Sequence, residues 1–274
     1  MFGTDFPILC HATKLPHSFF DSRIPCKKQG KYPFSIGVHL CLLTKNEYLC
    51  LVMISSRTYH SLHLDIANQE SDVICYILLH ESLDEKQKAW LFDLSEKTNS
   101  NLVVISGFDW NNDLTPWKAD GIKKGEMFGG KAEYLLQLLQ SDFFVNIEMS
   151  LRIRKPKRYI CGVSLSGLFA LWASMKKELF TGVASISGSL WYDGFTDWIK
   201  RAIPSSTNQY YFSLGEQEKN GKNARMATVE AATLEVVEVL KSNGKEVSFE
   251  MTEGGHFSAV APRLERAITS LLGS

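Results

Sequence analysis

The chain has 274 residues, 45% of them hydrophobic, enough for one large α/β domain or two small ones. Thirty basic and thirty acidic side chains cancel at pH 7, which argues against a nucleic-acid or anionic-membrane partner. No apolar run approaches the ~20 residues of a membrane span, and the N-terminus lacks a basic stretch followed by an apolar core, so a cytoplasmic protein is expected.

The first 34 residues read as an irregular extension, broken by Pro7, Pro16, Pro25 and Pro33. Runs 35–43 and 48–55 flank Thr44-Lys45-Asn46-Glu47 and predict an antiparallel hairpin. Segment 72–79 (DVICYILL) is a continuous apolar strand, as expected of a parallel sheet buried on both faces. A helix over 83–98, a strand over 101–106 and a long polar loop over 107–130 follow. Next come a helix over 131–151, a basic solvated loop over 152–158, a strand over 159–163 and a helix over 166–176. The remaining strands are expected at 182–187, 209–214 and 246–251, and the remaining helices at 195–202, 225–243 and 257–272. In the helix over 225–243, Met226, Val229, Val236 and Leu240 share one face. This alternation predicts a single α/β domain over residues 1–274, a doubly wound, mostly parallel sheet with an N-terminal antiparallel hairpin. Its functional residues are expected at the carboxyl ends of the strands.

Cys10, Cys26, Cys41, Cys50, Cys75 and Cys161 are scattered, with no C-x-x-C pair, and are read as reduced thiols. His60 and His63 lack a visible third ligand, so no metal is expected.

The chemistry is concentrated in "YICGVSLSGLFALW", residues 159–172. A strand, then Gly162-Val163-Ser164-Leu165-Ser166-Gly167, then a helix is the local form of a nucleophile elbow, with Ser166 where the G-x-S-x-G pattern has glycine. Gly162 permits the sharp turn, and the Leu165 N–H at the helix start points where an oxyanion would develop. A serine hydroxyl needs a base, and the base an orienting acid. His256, in "GGHF" after the last predicted strand, is the only histidine after Ser164. Gly215-Glu216-Gln217-Glu218 follows the strand over 209–214 and offers two acids, Glu218 and Glu216. The order Ser, acid, His is the one an α/β-hydrolase requires. The segment His80-Glu81-Ser82 follows the strand over 72–79 and is the expected source of the second oxyanion donor, with the Ser82 N–H favoured over that of Glu81. Trp110, Trp117 and Trp191 are candidates to line the substrate pocket, or to pack loop against helix.

Six pieces together carry a resemblance: "DLTPW" (113–117), "GGKAEYLLQLLQSDFFVNIE" (129–148), "YICGVSLSGLFALWA" (159–173), "SISGSLWYD" (185–193), "SLGEQE" (213–218) and "GGHF" (254–257). From about residue 72 onward the chain resembles the esterase D and enterochelin-esterase-like family of α/β-hydrolases. The resemblance implies Ser164 as nucleophile and His256 as general base, and it favours Glu218 over Glu216 as the acid. Many members of that family carry an arginine a few residues before T-P, whereas this chain has Phe108-Asp109-Trp110-Asn111-Asn112. If that arginine holds an anionic substrate in the family, this chain has lost the contact, which weighs against a catecholate siderophore.

A serine esterase acting on a small-molecule ester without a cofactor is the leading expectation. An acyltransferase or thioesterase would reuse the same acyl-enzyme. A non-catalytic binding protein on a hydrolase fold would need these residues misaligned. Self-association is possible and not readable from sequence.

Overall fold

The computed structural model describes residues 36–45, 48–202 and 206–273, with side chains from residue 55 onward. The expected irregular extension, the hairpin turn at residues 46 and 47, Cys10, Cys26 and the side chains of Cys41 and Cys50 lie outside the described residues.

The strands are β1 (Ile36–Lys45), β2 (Tyr48–Tyr59), β3 (Leu62–Ala67), β4 (Val73–Leu78), β5 (Asn101–Ser106), β6 (Lys118–Asp120), β7 (Met127–Gly129), β8 (Lys157–Val163), β9 (Gly182–Ile186), β10 (Gln209–Gly215) and β11 (Glu246–Thr252). Among the described residues nine of them form one sheet in the order β1-β2-β3-β5-β4-β8-β9-β10-β11, and β6 pairs with β7 apart from it. From β5 to β11 every pairing is parallel; β1–β2, β2–β3 and β3–β5 are antiparallel. This is the expected doubly wound, mostly parallel sheet with its N-terminal antiparallel hairpin.

The helices are α1 (Glu85–Thr98), α2 (Trp110–Asp113), α3 (Ala132–Leu138), α4 (Phe144–Ser150), α5 (Leu165–Lys176), α6 (Phe195–Arg201), α7 (Val229–Ser242) and α8 (Val260–Leu272). Successive strand side chains point to opposite faces, so the all-apolar β4 serves two cores. Ile74, Tyr76 and Leu78 join the core that includes α3, α4, α5, α6 and α7 residues. Cys75 and Ile77 join the core on the other face, with Leu91 and Leu94 of α1 and Leu264, Ala267, Ile268 and Leu271 of α8. Cys75 and Cys161 are free, buried thiols of this second core, and burial pushes the Cys75 thiol up to about 12.

Several elements depart from the sequence reading. β2 continues to Tyr59 and β3 is an additional strand; Leu62, Leu64 and Ile66 join one core, and Asp65 and Ala67 between and after them are buried as well. The long polar loop contains α2 and the β6–β7 ribbon. The helix expected over 131–151 is α3 and α4 joined by a π-helical segment, Leu139–Phe143. The last helix starts at Val260, because Gly254 at φ 87° and Ala259 at φ 49° keep the preceding chain irregular. In the basic segment, Arg152, Arg154, Lys155 and Lys157 are exposed. Arg158 instead pairs with the buried Glu148 through Nε at 2.5 Å and Nη2 at 2.7 Å.

After β5 the chain crosses to the far side of β4 to lay down β8. The carboxyl ends of β4 and β8 thus flank the point where the winding reverses, the usual location of a crevice in an open α/β sheet. Ser164 follows β8 at that point.

Candidate active site

β8 passes into α5 with Ser164 as the only intervening residue, at φ 62° and ψ −123°. Such backbone costs a non-glycine residue on the order of 1–3 kcal/mol and persists only where its surroundings impose it. Here the Ser164 N–H donates to the Ile186 carbonyl at 3.0 Å, and the Ser164 carbonyl accepts from Leu168 at 3.1 Å and Ser189 at 3.0 Å. A Cβ on Gly162 would stand 2.2 Å from the Ser166 carbonyl oxygen, so only glycine allows strand and helix to approach this closely. The fully buried Ser166 accepts from the Val163 N–H at 2.8 Å and donates to the Leu78 carbonyl at 2.8 Å. It therefore ties the turn to the end of β4.

The Ser164 hydroxyl lies 3.4 Å from Ser189 Oγ and bonds no other side chain among the described residues. Leu165 is the first residue of α5, so its N–H has no acceptor inside the helix. On the neighbouring strand end, Ser82 is exposed and makes no hydrogen bond among the described residues. The Leu83 N–H beside it donates to Asp65 Oδ2 at 3.1 Å. Asp65, fully buried in β3, also accepts from Ser56 Oγ at 2.6 Å and lies 3.3 Å from His63 Nε2. Asp65 thus anchors the loop that leaves β4.

Beyond β11, Gly254 turns the chain and the Gly255 N–H donates to Ser258 Oγ at 3.0 Å. His256 is thereby directed at Glu218, which opens the short 3₁₀ turn Glu218–Asn220 after β10. His256 Nδ1–H donates to Glu218 Oε2 at 2.8 Å. The other carboxylate oxygen, Oε1, accepts from Ser187 Oγ at 2.5 Å and from the Gly215 N–H at 2.7 Å. Burial pushes the Glu218 carboxyl up, but the hydrogen bonds from His256, Ser187 and Gly215 outweigh it and hold the group below its ordinary value. A Nδ1–H that donates to a carboxylate leaves Nε2 as the basic nitrogen. Glu216, the other acid of the segment, is exposed and makes no side-chain hydrogen bond among the described residues.

A cleft of about 240 Å³ opens beside this pair, lined among others by Trp191, Lys222, Met226, Val229, Glu218 and His256. Arg225 packs over the Trp191 ring at 5.6 Å and is held by Asp193 at 2.9 Å. The other two tryptophans have different surroundings. Trp117 donates from Nε1 to the Asp193 carbonyl at 2.9 Å and packs against Tyr192 and Trp198. Trp110 meets the His80 ring edge-on at 4.9 Å. His60 contacts Tyr59 edge-on and His63 faces Asp65, and no group of three potential metal ligands occurs among the described residues. No helix among the described residues is long and apolar enough to cross a membrane.

Sequence reading missed Ser187, Ser189, Asp65 and Arg263. Arg263 carried a signal. It falls four residues before Ala267, on the apolar stripe of α8 that includes Leu264, Ile268 and Leu271, where an arginine is out of place unless paired.

Comparison with known proteins agrees with this architecture. The model of the family described as "Putative esterase" matches residues 87–260, well over half of the chain. A curated relative, the uncharacterized protein YbbA of Bacillus subtilis, is 28% identical over 177 residues, 62% of this chain and 71% of that one. Among solved structures, an IroE-like serine hydrolase from Shewanella oneidensis superposes with a TM-score of 0.62 at 16% identity, covering 87% of this chain and 80% of its own. The siderophore hydrolase EstA from Aspergillus nidulans superposes with a TM-score of 0.61 at 18% identity, covering 93% and 99%. With a sheet wound as in these enzymes and a family model spanning the strands that carry Ser164 and Glu218, the chain belongs to the esterase family, as a carboxylic ester hydrolase with the α/β-hydrolase fold.

Proposed function

We propose that the protein is a serine esterase that cleaves esters of small or medium-sized substrates through an acyl-enzyme on Ser164. The observation that carries this reading is the hydrogen bond from His256 Nδ1–H to Glu218 Oε2 at 2.8 Å. It sets the imidazole tautomer, and the family supplies the ester chemistry. In the first step the Ser164 hydroxyl leaves Ser189, His256 Nε2 takes its proton, and Oγ adds to the ester carbonyl. The Leu165 N–H, with the Ser82 N–H as second donor, stabilises the resulting oxyanion. His256 then returns the proton to the departing alcohol as the C–O bond breaks. Water, activated by the same imidazole, adds to the acyl carbonyl, and breakdown of the second tetrahedral intermediate releases the acid and restores Ser164. Glu218 keeps its charge throughout and stabilises the imidazolium; Glu216 has no role in the cycle.

The cleft of about 240 Å³ borders Glu218 and His256 rather than Ser164, so it offers a surface beside the base and does not fix the size of the ester. Trp191, Met226 and Val229 offer the apolar wall and Lys222 a cation at the rim. Several solved neighbours are named as siderophore hydrolases. The segment Phe108-Asp109-Trp110-Asn111-Asn112, without an arginine, favours a simpler ester here. Hydrolysis of a panel of p-nitrophenyl esters by wild type and Ser164→Ala tests the proposal. Loss of turnover in the variant supports it, and equal rates would remove Ser164 from the reaction.

A further inference from the structure

Arg263 is the largest fully buried side chain described, and it stands behind Glu218. Its Nη2 donates to Ser187 Oγ at 2.7 Å, and that hydroxyl donates onward to Glu218 Oε1 at 2.5 Å. The guanidinium also lies 3.8 Å from Glu218 Oε1 directly. Its Nε and Nη2 reach Ser213 Oγ at 3.4 and 3.3 Å, while Nη1 has no hydrogen-bond partner among the described residues. Ser187 takes part in this chain from a left-handed backbone conformation, φ 46°.

A buried cation with an unpaired donor is a poor device for stability, because desolvation offsets most of its attraction to a single carboxylate. The other charged or titratable groups that face it are Tyr211 on β10, Glu250 on β11 and Arg266 on α8. Glu250 and Arg266 already pair with each other at 3.0 Å, and Tyr211 donates to Glu250. The charge of Arg263 is therefore left to act on Glu218 and, beyond it, on His256.

We propose that Arg263 is a positioning residue for His256, acting through Ser187 and Glu218 to hold the carboxylate in place and to limit how strongly it attracts the imidazole proton. The proposal rests on the reading of His256 as the base of an ester hydrolase. A carboxylate fully available to His256 would keep the imidazole protonated at higher pH, where it could not accept the serine proton. A positive charge on the far side of the same carboxylate opposes this. The relay thus sets the pH above which the base is free.

The test is an NMR titration of the assigned His256 ring in wild type, Arg263→Met, Arg263→Lys, Ser187→Ala and the Arg263→Met/Ser187→Ala double variant. The parallel readout is the acid limb of kcat/KM. Removing the cation or the bridging hydroxyl should raise the His256 titration midpoint and the acid limb together, by about half a pH unit or more. The double variant should shift by less than the sum of the two single shifts, because Ser187 carries part of the effect of Arg263 while the guanidinium also faces Glu218 directly at 3.8 Å. Arg263→Lys should stay near wild type in midpoint, since it keeps the charge. Should Arg263→Met fail to fold, Ser187→Ala, which removes one oxygen, carries the test alone. A folded variant with the wild-type midpoint, or shifts that add in the double variant, would overturn the relay. The titration does not depend on Ser164, so residual turnover by Ser164→Ala would count against the nucleophile assignment and leave the role of Arg263 standing.

Discussion

The Ser166 hydroxyl donates to the carbonyl of Leu78 across the junction of two strands, at 2.8 Å. The turn that presents Ser164 is thus fastened to the strand end from which the second oxyanion donor is proposed to come. Glycine at this position would close the turn equally well but could not make the bond.

Ser166→Ala removes this buried bond and the acceptor for the half-buried Val163 N–H. An orphaned buried polar group costs about 1–3 kcal/mol, and the variant should lose that much in urea unfolding. Its kcat/KM should fall while KM changes little, because the fault lies at the reacting atoms. Unchanged stability would mean that the hydroxyl is not needed at the junction.

Glu218→Gln should lower kcat by about 10²- to 10⁴-fold, because the amide cannot stabilise an imidazolium and leaves the ring free to take the wrong tautomer. Glu216→Gln should stay within about twofold of wild type, since that side chain is exposed. Steady-state kinetics on one ester separates the two acids, and the reverse ranking would refute the assignment.

Acid should weaken the fold through the same carboxylate. Glu218 is held below its ordinary value of 4.5 in the folded chain. A depressed carboxyl contributes stability that is complete above that ordinary value and is lost as pH falls through the folded one. The stability gap between wild type and Glu218→Gln should therefore shrink as the pH is lowered from 6 to 3 in chemical denaturation. A gap that stays constant or widens on acidification would contradict the linkage.

Glu148 offers a control away from the chemistry. It takes Arg158 on both oxygens and Tyr76 Oη at 3.0 Å, near the amino end of β8. Glu148→Ala strands both partners and should cost about 2–4 kcal/mol, less than a fully buried pair because Arg158 keeps some solvent access. Activity per folded molecule should be retained. A large loss of kcat at full folding would show that this pair reaches the active site.

The parallel half of the fold was legible because its strands are continuous apolar runs separated by helices. Only a sheet covered on both faces accommodates that pattern. The antiparallel edge was harder. β3 places the fully buried Asp65 between Leu64 and Ile66, and this polar residue masked a strand whose other buried positions are apolar. At the site, Ser164 and His256 stand out because each follows a strand and carries its own glycine signal, whereas Gly215-Glu216-Gln217-Glu218 leaves two acids open and the family resemblance is what favours Glu218. Ser187 does not stand out, since a strand-end serine gains meaning only when β9, β10 and α8 converge; Arg263 is visible as an arginine on an apolar helix stripe, but its partners come from that same convergence. The tryptophans divided for a similar reason. Trp191 borders the cleft, while partners distant in sequence, Asp193 for Trp117 and His80 for Trp110, decide where the other rings lie.

The central claim is that Ser164 forms a covalent acyl-enzyme. Intact-protein mass spectrometry after brief reaction with a p-nitrophenyl ester or a fluorophosphonate, followed by peptide mapping, measures this directly. One adduct per chain should form on the peptide containing Ser164, and it should be absent in Ser164→Ala and slow to form in His256→Ala. Ester hydrolysis with no adduct at Ser164, or an adduct on another residue, would contradict the account.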